Sequence, residues 1–193
     1  MTDREFIHGI IQRDNEVFKE VVCLYENNVI RTCYSLVHDD QDARDLAQEV
    51  FIEILNSAES FRGDAKLSSW IYRIAINKSL NYVKQQKRRQ FLSRIGLRSA
   101  GSDEDHGNLP ADINQLNAEE AMTEKEIRMV LHLALGKLPV NQRIAFTMCK
   151  YEKLSYQEIA EVMNVSVSSV ESLIHRAKTN LRNRLEIFYR ENL

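Results

Sequence analysis

Residues 61–89 read FRGDAKLSSWIYRIAINKSLNYVKQQKRR. Gly63-Asp64 marks a turn, and Ser68 or Ser69 is placed to cap a helix. That helix carries Trp70, Ile71, Ile74, Ala75, Leu80 and Val83 as apolar positions. At ~100° per residue, Trp70, Arg73, Asn77, Asn81 and Lys84 fall on one stripe of it. From Ala65 to Ser102 no acid occurs, and the charged residues are Lys66, Arg73, Lys78, Lys84, Lys87, Arg88, Arg89, Arg94 and Arg98. A solvated helix face is the ordinary use of such a run. A purely cationic face with an aromatic and amides suits a nucleic-acid strand better: Lys and Arg hold phosphates, aromatics and amides meet bases.

Upstream, Phe6, Ile7, Ile10 and Ile11 predict a short amphipathic helix ending near Arg13, with Asp14 or Asn15 capping the next. The second helix carries Val17, Phe18, Val21, Val22, Tyr25, Val29, Ile30, Cys33, Tyr34 and Val37, and His38-Asp39-Asp40 breaks it. Asp42 opens a third, DARDLAQEVFIEILNSA, with Ala43, Leu46, Ala47, Val50, Phe51, Ile54 and Leu55 at helical spacing. Its other face shows Asp42, Asp45, Gln48, Glu49, Glu53 and Asn56. Carboxylates so placed suggest a metal or acid–base site, but no His joins them at the Glu-x-x-His spacing. Solvated acids are the plain reading, and a docking surface for a basic partner helix is a further one.

Downstream, the composition changes. Asp103, Glu104, Asp105, Asp112, Glu119, Glu120, Glu124 and Glu126 face Lys125 alone, with Gly101, Gly107 and Pro110 among them. No periodicity survives before about Ala118, which predicts an acidic linker. Ile127, Val130, Leu131, Ala134 and Leu135 then form a helix stopped at Gly136. Pro139 stands in the first turn of another, with Ile144, Ala145, Met148 and Cys149. In LSYQEIAEVMNVSVSSVESLIHRAKTNLRNRL, Ser155 and Glu158 make a capping box before a short helix with Ile159, Ala160 and Met163. Asn164 suits the turn, and Ser166 caps a helix that buries Val170, Leu173, Ile174, Ala177 and Leu181. Its outer side shows Ser168, Glu171, Ser172, His175, Arg176 and Thr179. Ala160 allows the second helix to cross closely. An αα-hairpin of a bundle has the same outline, but cap, small residue, turn and the cations Arg176, Lys178, Arg182 and Arg184 point to a DNA-binding helix-turn-helix.

The whole chain has 193 residues, 44% hydrophobic, with 6 Gly and 2 Pro, so the expected fold class is all-α: two small helical domains on a flexible acidic linker. The expected division is 1–92, a linker over 93–118, and 119–193. Net charge is −2, so charge is partitioned along the chain and not shared evenly. Cys23, Cys33 and Cys149 are odd in number, without CxxC, and read as reduced core residues. A polar N-terminus and no run of ~18 apolar residues leave no signal peptide or membrane span, so a cytoplasmic protein is expected.

Two segments together resemble one family, the bacterial RNA polymerase sigma factors of the extracytoplasmic-function (ECF) type. DDQDARDLAQEVFIEIL with FRGDAKLSSWIYRIAINKSLNYVKQQKRR resembles the family's second conserved region. LPVNQRIAFTMCKYEKLSYQEIAEVMNVSVSSVESLIHRAKTNLRNRL resembles its fourth. The first and third regions of larger sigma factors have no counterpart here.

The resemblance implies a factor that gives core RNA polymerase its promoter specificity, with no catalysis of its own and no cofactor. Asp45, Gln48, Glu49 and Glu53 would dock on the basic clamp helices of the largest catalytic subunit. Phe61, Arg62, Lys66, Ser69, Trp70, Arg73, Asn77, Lys84, Arg88 and Arg89 would melt and read the minus-ten element. Ser168, Glu171, Ser172, His175, Arg176 and Lys178 would meet the minus-thirty-five element in the major groove. Family members often carry Arg where Glu171 stands; a glutamate accepts from cytosine N4 and cannot hold phosphate. The linker would thread the polymerase cleft, and an anti-sigma factor is an expected partner. Free of polymerase, the two domains could fold onto one another. Two rivals remain: a stand-alone helix-turn-helix regulator, and a nuclease built on Asp42, Asp45 and Glu49.

Overall fold

The computed structural model describes residues 1–94 and 124–192, side chains being described for 1–93 and 130–186. Every regular element among them is helical. The expected linker lies outside the described residues.

Helix α1 (Asp3–Ile11) begins at a Thr2–Glu5 capping box. Asp14 caps α2 (Asn15–Val37), accepting from Glu16 N and Val17 N. The two helices touch at Gly9, where an added Cβ would lie 2.7 Å from Val17 Cγ1. His38 ends α2 in the left-handed conformation, φ 62°. Helix α3 (Asp40–Ser57) starts two residues before Asp42, because Asp39 is its cap and accepts from Asp42 N at 2.9 Å.

A single turn of 3-10 helix and a loop then lead to α4 (Leu67–Arg94). Neither Ser68 nor Ser69 caps it. The helix begins earlier, and Leu67 N donates to the Asp3 carboxylate, 2.8 Å away, from the head of α1. Ser69 consequently falls in the first turn and is buried. Helices α2, α3 and α4 enclose a core of Val21, Val29, Cys33, Leu46, Val50, Ile54, Leu67 and Ile71, closed by Phe6, Ile7 and Ile10 of α1. Burying each such Ile, Leu or Phe is worth ~1.5–3 kcal/mol.

The C-terminal helices are α5 (Glu124–Gly136), α6 (Val140–Lys150), α7 (Tyr156–Met163) and α8 (Val167–Asn192). Pro139 is the cap residue of α6, one position outside the helix. The Ser155–Glu158 capping box of α7 is formed, and Asn164 ends the helix at φ 53°. Ser166 accepts from Ser169 N at the head of α8. Val170, Ile174, Ala177 and Leu181 are buried as the period requires. On α7 the buried residues are Ile159, Ala160 and Val162, with Met163 only partly covered.

The cysteines divide. Cys33 is buried, with its thiol pushed up to about 11 chiefly by burial, and Cys149 is half-buried. Cys23 is exposed, contrary to the core reading. It lies two residues from Val21, so on a helix it turns some 200° away from the buried side.

The two helical groups pack together. Leu36, Tyr72 and Ile76 from the N-terminal group share one apolar cluster with Ile144, Met148, Ile159, Val162, Val170 and Ile174. Helix α7 lies against α4, and α6 against α2.

Candidate nucleic-acid and polymerase interfaces

Three surfaces carry the expected site residues, and their surroundings differ. On α3, Asp45, Gln48 and Glu49 are exposed and Glu53 is half-buried. Gln41 Nε2 donates to Asp45 at 3.0 Å. Lys78 of α4 pairs with Glu53 at 3.1 Å and reaches Glu49 at 3.9 Å. Lys78 therefore serves the acidic face and not the cationic stripe. Ile52 stands 57% exposed between these polar residues. It was not singled out in the sequence, although its spacing to Gln48 and Glu49, four and three residues, places it on their face. Among the described residues no group of three His, Cys, Asp or Glu is arranged to hold a metal ion.

The second surface is the loop and α4. Phe61 meets Trp70 edge to face, centroids 5.4 Å apart, and both rings are half-buried. Arg62 is exposed, and Gly63 turns the loop at φ 75°. Asn77, Asn81, Lys84, Arg88 and Arg89 are exposed, so the far half of the stripe is open. The near half is not. Ser69 is fully buried and presents nothing outward. Lys66 Nζ binds the Glu158 carboxylate at 2.7 Å. Arg73 Nη2 donates to the backbone carbonyl of Glu161 at 2.6 Å. Lys66, the Ser155 hydroxyl and the Ser155 backbone N–H together hold the Glu158 carboxyl down at about 2.

The same contact buries groups with no sequence signal. Tyr72 Oη donates to Glu152 at 3.1 Å and accepts from Asn28 at 3.1 Å. Arg31 reaches Glu152 at 3.7 Å, and the Glu152 side chain has no exposed surface. Burial, then the nearby Glu152, pushes the Tyr72 hydroxyl up; burial also raises the Glu152 carboxyl, against the pull of Tyr72 and Arg31. At the other end of the joint, Arg143 bonds the His38 ring and the Gly136 carbonyl. His132 stacks on Tyr34 and meets His38 edge-on. One side of the His38 ring is covered, and that burial, the Arg143 charge and His132 lower its pKa from 6.5 to about 4. Spacing cannot announce Tyr72–Glu152, Arg31–Glu152, Arg143–His38 or His132–Tyr34, because each pair joins one helical group to the other.

The third surface is α8. Ser168, Glu171, Ser172, His175, Arg176 and Lys178 are all exposed. The first five line a shallow concavity. Glu171 makes no ion pair among the described residues and shares its face with His175 and Arg176.

A helical chain with an acidic face on α3 and cationic residues on α4 and α8, far apart in sequence, has known counterparts. The family model for sigma-70 region 2 matches residues 22–89, and that for sigma-70 region 4 matches 128–181. The RNA polymerase sigma-H factor of Pseudomonas aeruginosa is 34% identical, over 98% of this chain and 96% of its own length. The ECF RNA polymerase sigma-E factor of Escherichia coli K12 is 32% identical, over 96% and 95%. In fold, the chain is similar to CnrH in its complex with the cytosolic domain of CnrY: TM-score 0.67, 20% identity, 96% of this chain and 97% of that one. The sigma factor RpoE of Bartonella quintana, solved with the anti-sigma factor NepR, gives TM-score 0.64 at 20% identity, over 88% and 97%. The chain belongs to the ECF sigma factors of RNA polymerase. It is thus a transcription initiation factor that joins core polymerase and directs it to promoters.

Proposed function

We propose that the three surfaces divide this work residue by residue. Asp45, Gln48, Glu49 and Glu53 form the docking face for basic helices of core polymerase, with Ile52 as an apolar anchor among them. A polar rim around one exposed large aliphatic is the usual make-up of a binding patch. Phe61, Arg62, Lys66, Trp70, Arg73, Asn77, Lys84, Arg88 and Arg89 receive the melted minus-ten strand. Unstacking a base costs a few kcal/mol, which aromatic stacking and phosphate contacts offset. Ser69 has no surface for this and supports the helix from inside. Ser168, Glu171, Ser172, His175, Arg176 and Lys178 enter the major groove at the minus-thirty-five element. There Arg176 is suited to guanine O6 and N7 and Glu171 to cytosine N4.

The division 1–92, 93–118 and 119–193 follows these roles, the acidic middle threading a positively charged channel of polymerase. The protein catalyses nothing itself, needs no cofactor and works in the cytoplasm. Among the described residues no helix is long and apolar enough to cross a membrane. An anti-sigma partner is expected, as RpoE of Bartonella quintana has one in its solved complex. The observation that carries the reading is the outward display of Asn77 on α4 and Arg176 on α8, beside a separate acidic α3 face.

The test is in vitro transcription with core polymerase on a pool of genomic fragments, mapping the start sites. Initiation from fragments sharing two spaced elements is the expected result. Start sites unchanged from core polymerase alone would refute it. A stand-alone regulator would instead bind duplex tightly and specifically with no polymerase present.

A further inference from the structure

At the end of the joint held by Arg143 lies a cleft of about 230 Å³, walled by α2, α5 and α6. None of its lining residues belongs to the three surfaces described above. Its volume is below the ~300–1,000 Å³ of sites for drug-sized molecules, so it suits a molecule of one ring. Tyr34, His132 and Tyr151 supply aromatic walls, and Leu131 and Leu135 add aliphatic carbon. His132 already stacks on Tyr34, centroids 5.2 Å apart, which leaves a flat apolar slot beside the pair.

Arg143 lines the same cleft, and the fold leaves its charge uncompensated. The residue keeps 6% exposure and forms no ion pair among the described residues. Its Nη1 is spent on the His38 ring and the Gly136 carbonyl, and its Nε is buried with no hydrogen-bond partner. A guanidinium only donates and does not lose its proton, so the His38 nitrogen that it meets is an unprotonated acceptor. His38 thus satisfies one donor and cancels no charge. Glu152 is turned to Tyr72 and Arg31 instead. Burial alone pulls the Arg143 pKa down, with no carboxylate pushing it back up. Buried charges are ordinarily paired, because taking an unpaired one out of water is costly. Arg31, more open, adds a second cation at the rim.

We propose that this cleft binds a small aromatic carboxylate, with its ring among Tyr34, His132 and Tyr151 and its carboxylate on the Arg143 guanidinium. The planar fork of an arginine matches a carboxylate, and the pair is charge-assisted. A metal cation would be repelled by Arg143. A neutral aromatic would leave the arginine as it is, and a small phosphate would leave the apolar walls unused. Because the walls come from both helical groups, the bound acid ties them together. The inference goes beyond the transcription role proposed above and shares no residue with it.

The test uses the full chain with para-fluorobenzoate as the probe. Its neutral match is para-fluorobenzamide, and acetate supplies the charge without a ring. Fluorine NMR at neutral pH reads binding. A probe this small should show a Kd in about the micromolar to millimolar range. The amide should bind at least about tenfold more weakly, and acetate should not displace the probe. Ser35→Phe fills the cleft from α2 and keeps Arg143; Ser35 is half-buried, and the change removes only its bond to the Thr32 carbonyl. Arg143→Met keeps the stem and removes the charge. Circular dichroism checks helicity, and Ser35→Phe decides the matter where Arg143→Met does not fold.

Binding should vanish in Ser35→Phe and fall about tenfold or more in Arg143→Met. Small-angle scattering at moderate urea should show the wild-type chain more compact with the probe than without it, and Ser35→Phe unchanged by it. No binding up to about 10 mM overturns the proposal, as does equal affinity for acid and amide. Unaltered binding in Ser35→Phe, or binding without compaction, would place the acid elsewhere and overturn it too. These measurements involve neither polymerase nor promoter, so they decide the cleft whether or not the transcription assay succeeds.

Discussion

Helices α4 and α8 are both cationic, yet one is half closed by protein and the other is open. On α4, Lys66 and Arg73 already hold oxygens of α7. On α8, Arg176 and Lys178 hold nothing among the described side chains. The two cationic faces therefore differ in availability as well as in composition. A charge count along the chain cannot see which cations are already engaged; the packing of α7 decides that. The lesson is that a cation's use depends on which acceptor reaches it first.

The comparison can be broken from outside either helix. Glu49→Lys sets a cation on the proposed docking face, beside Lys78. Polymerase affinity, read by competition for core enzyme, should fall by roughly 2–4 kcal/mol with helicity unchanged. An unaltered affinity would place docking elsewhere.

The two helices themselves supply the next contrast. Arg176→Ala should weaken duplex promoter binding by roughly 1–3 kcal/mol if it reads a base edge. Arg73→Ala in the same assay on the free chain should do almost nothing, since its guanidinium is engaged by Glu161. Equal losses would mean that the two faces are equally open after all.

Tyr72→Phe removes one hydroxyl from the joint. It leaves Glu152 with Arg31 alone at 3.7 Å. The closed arrangement should lose about 1–2 kcal/mol, seen as a larger radius of gyration at moderate urea. No change would show that the apolar cluster alone holds the groups together.

The smallest effect is on pH. His38 has its pKa lowered from 6.5 to about 4 in the closed arrangement, and that of His132 is lowered too. Separated, both would take protons more readily, so closure is fully supported above ~6.5 and weakens as pH falls towards 4. The groups facing them are Arg143 and Tyr34. The raised Glu152 carboxyl acts in the opposite sense, favouring closure at low pH and losing that support as pH rises beyond its ordinary 4.5. Scattering between pH 7.5 and 5.5 should show a slight expansion, and compaction would contradict the assignment. Because His38 keeps an exposed edge, solvent screening holds this below the effect of the substitutions.

Much of this molecule was legible along the chain. The capping box at Ser155 and Glu158, the left-handed Asn164 and the period of Val170, Ile174, Ala177 and Leu181 are local, and local chemistry fixed them. The α3 face was legible for the same reason. The departures have two causes, one distant and one local. The cap of α4 is Asp3, sixty-four residues away, and no neighbouring Ser or Thr serves in its place. Ser69 accordingly falls in the core, whereas Cys23 is exposed for a local reason, the helical period that turns it away from Val21.

By itself, then, the sequence determined the helices, their polar and apolar sides, the separation of charge into one acidic and two basic surfaces, and the membership of a sigma-factor family. These follow from periods and caps that span only a few residues. Tertiary structure alone decided that Tyr72, Ile76 and Leu36 belong to the core of the other helical group, that Glu152 is buried between Tyr72 and Arg31, and that α7 lies on Lys66 and Arg73. Those pairings join residues some 80–120 positions apart. The repeat of a helix says which side is apolar, but not which partner will cover it.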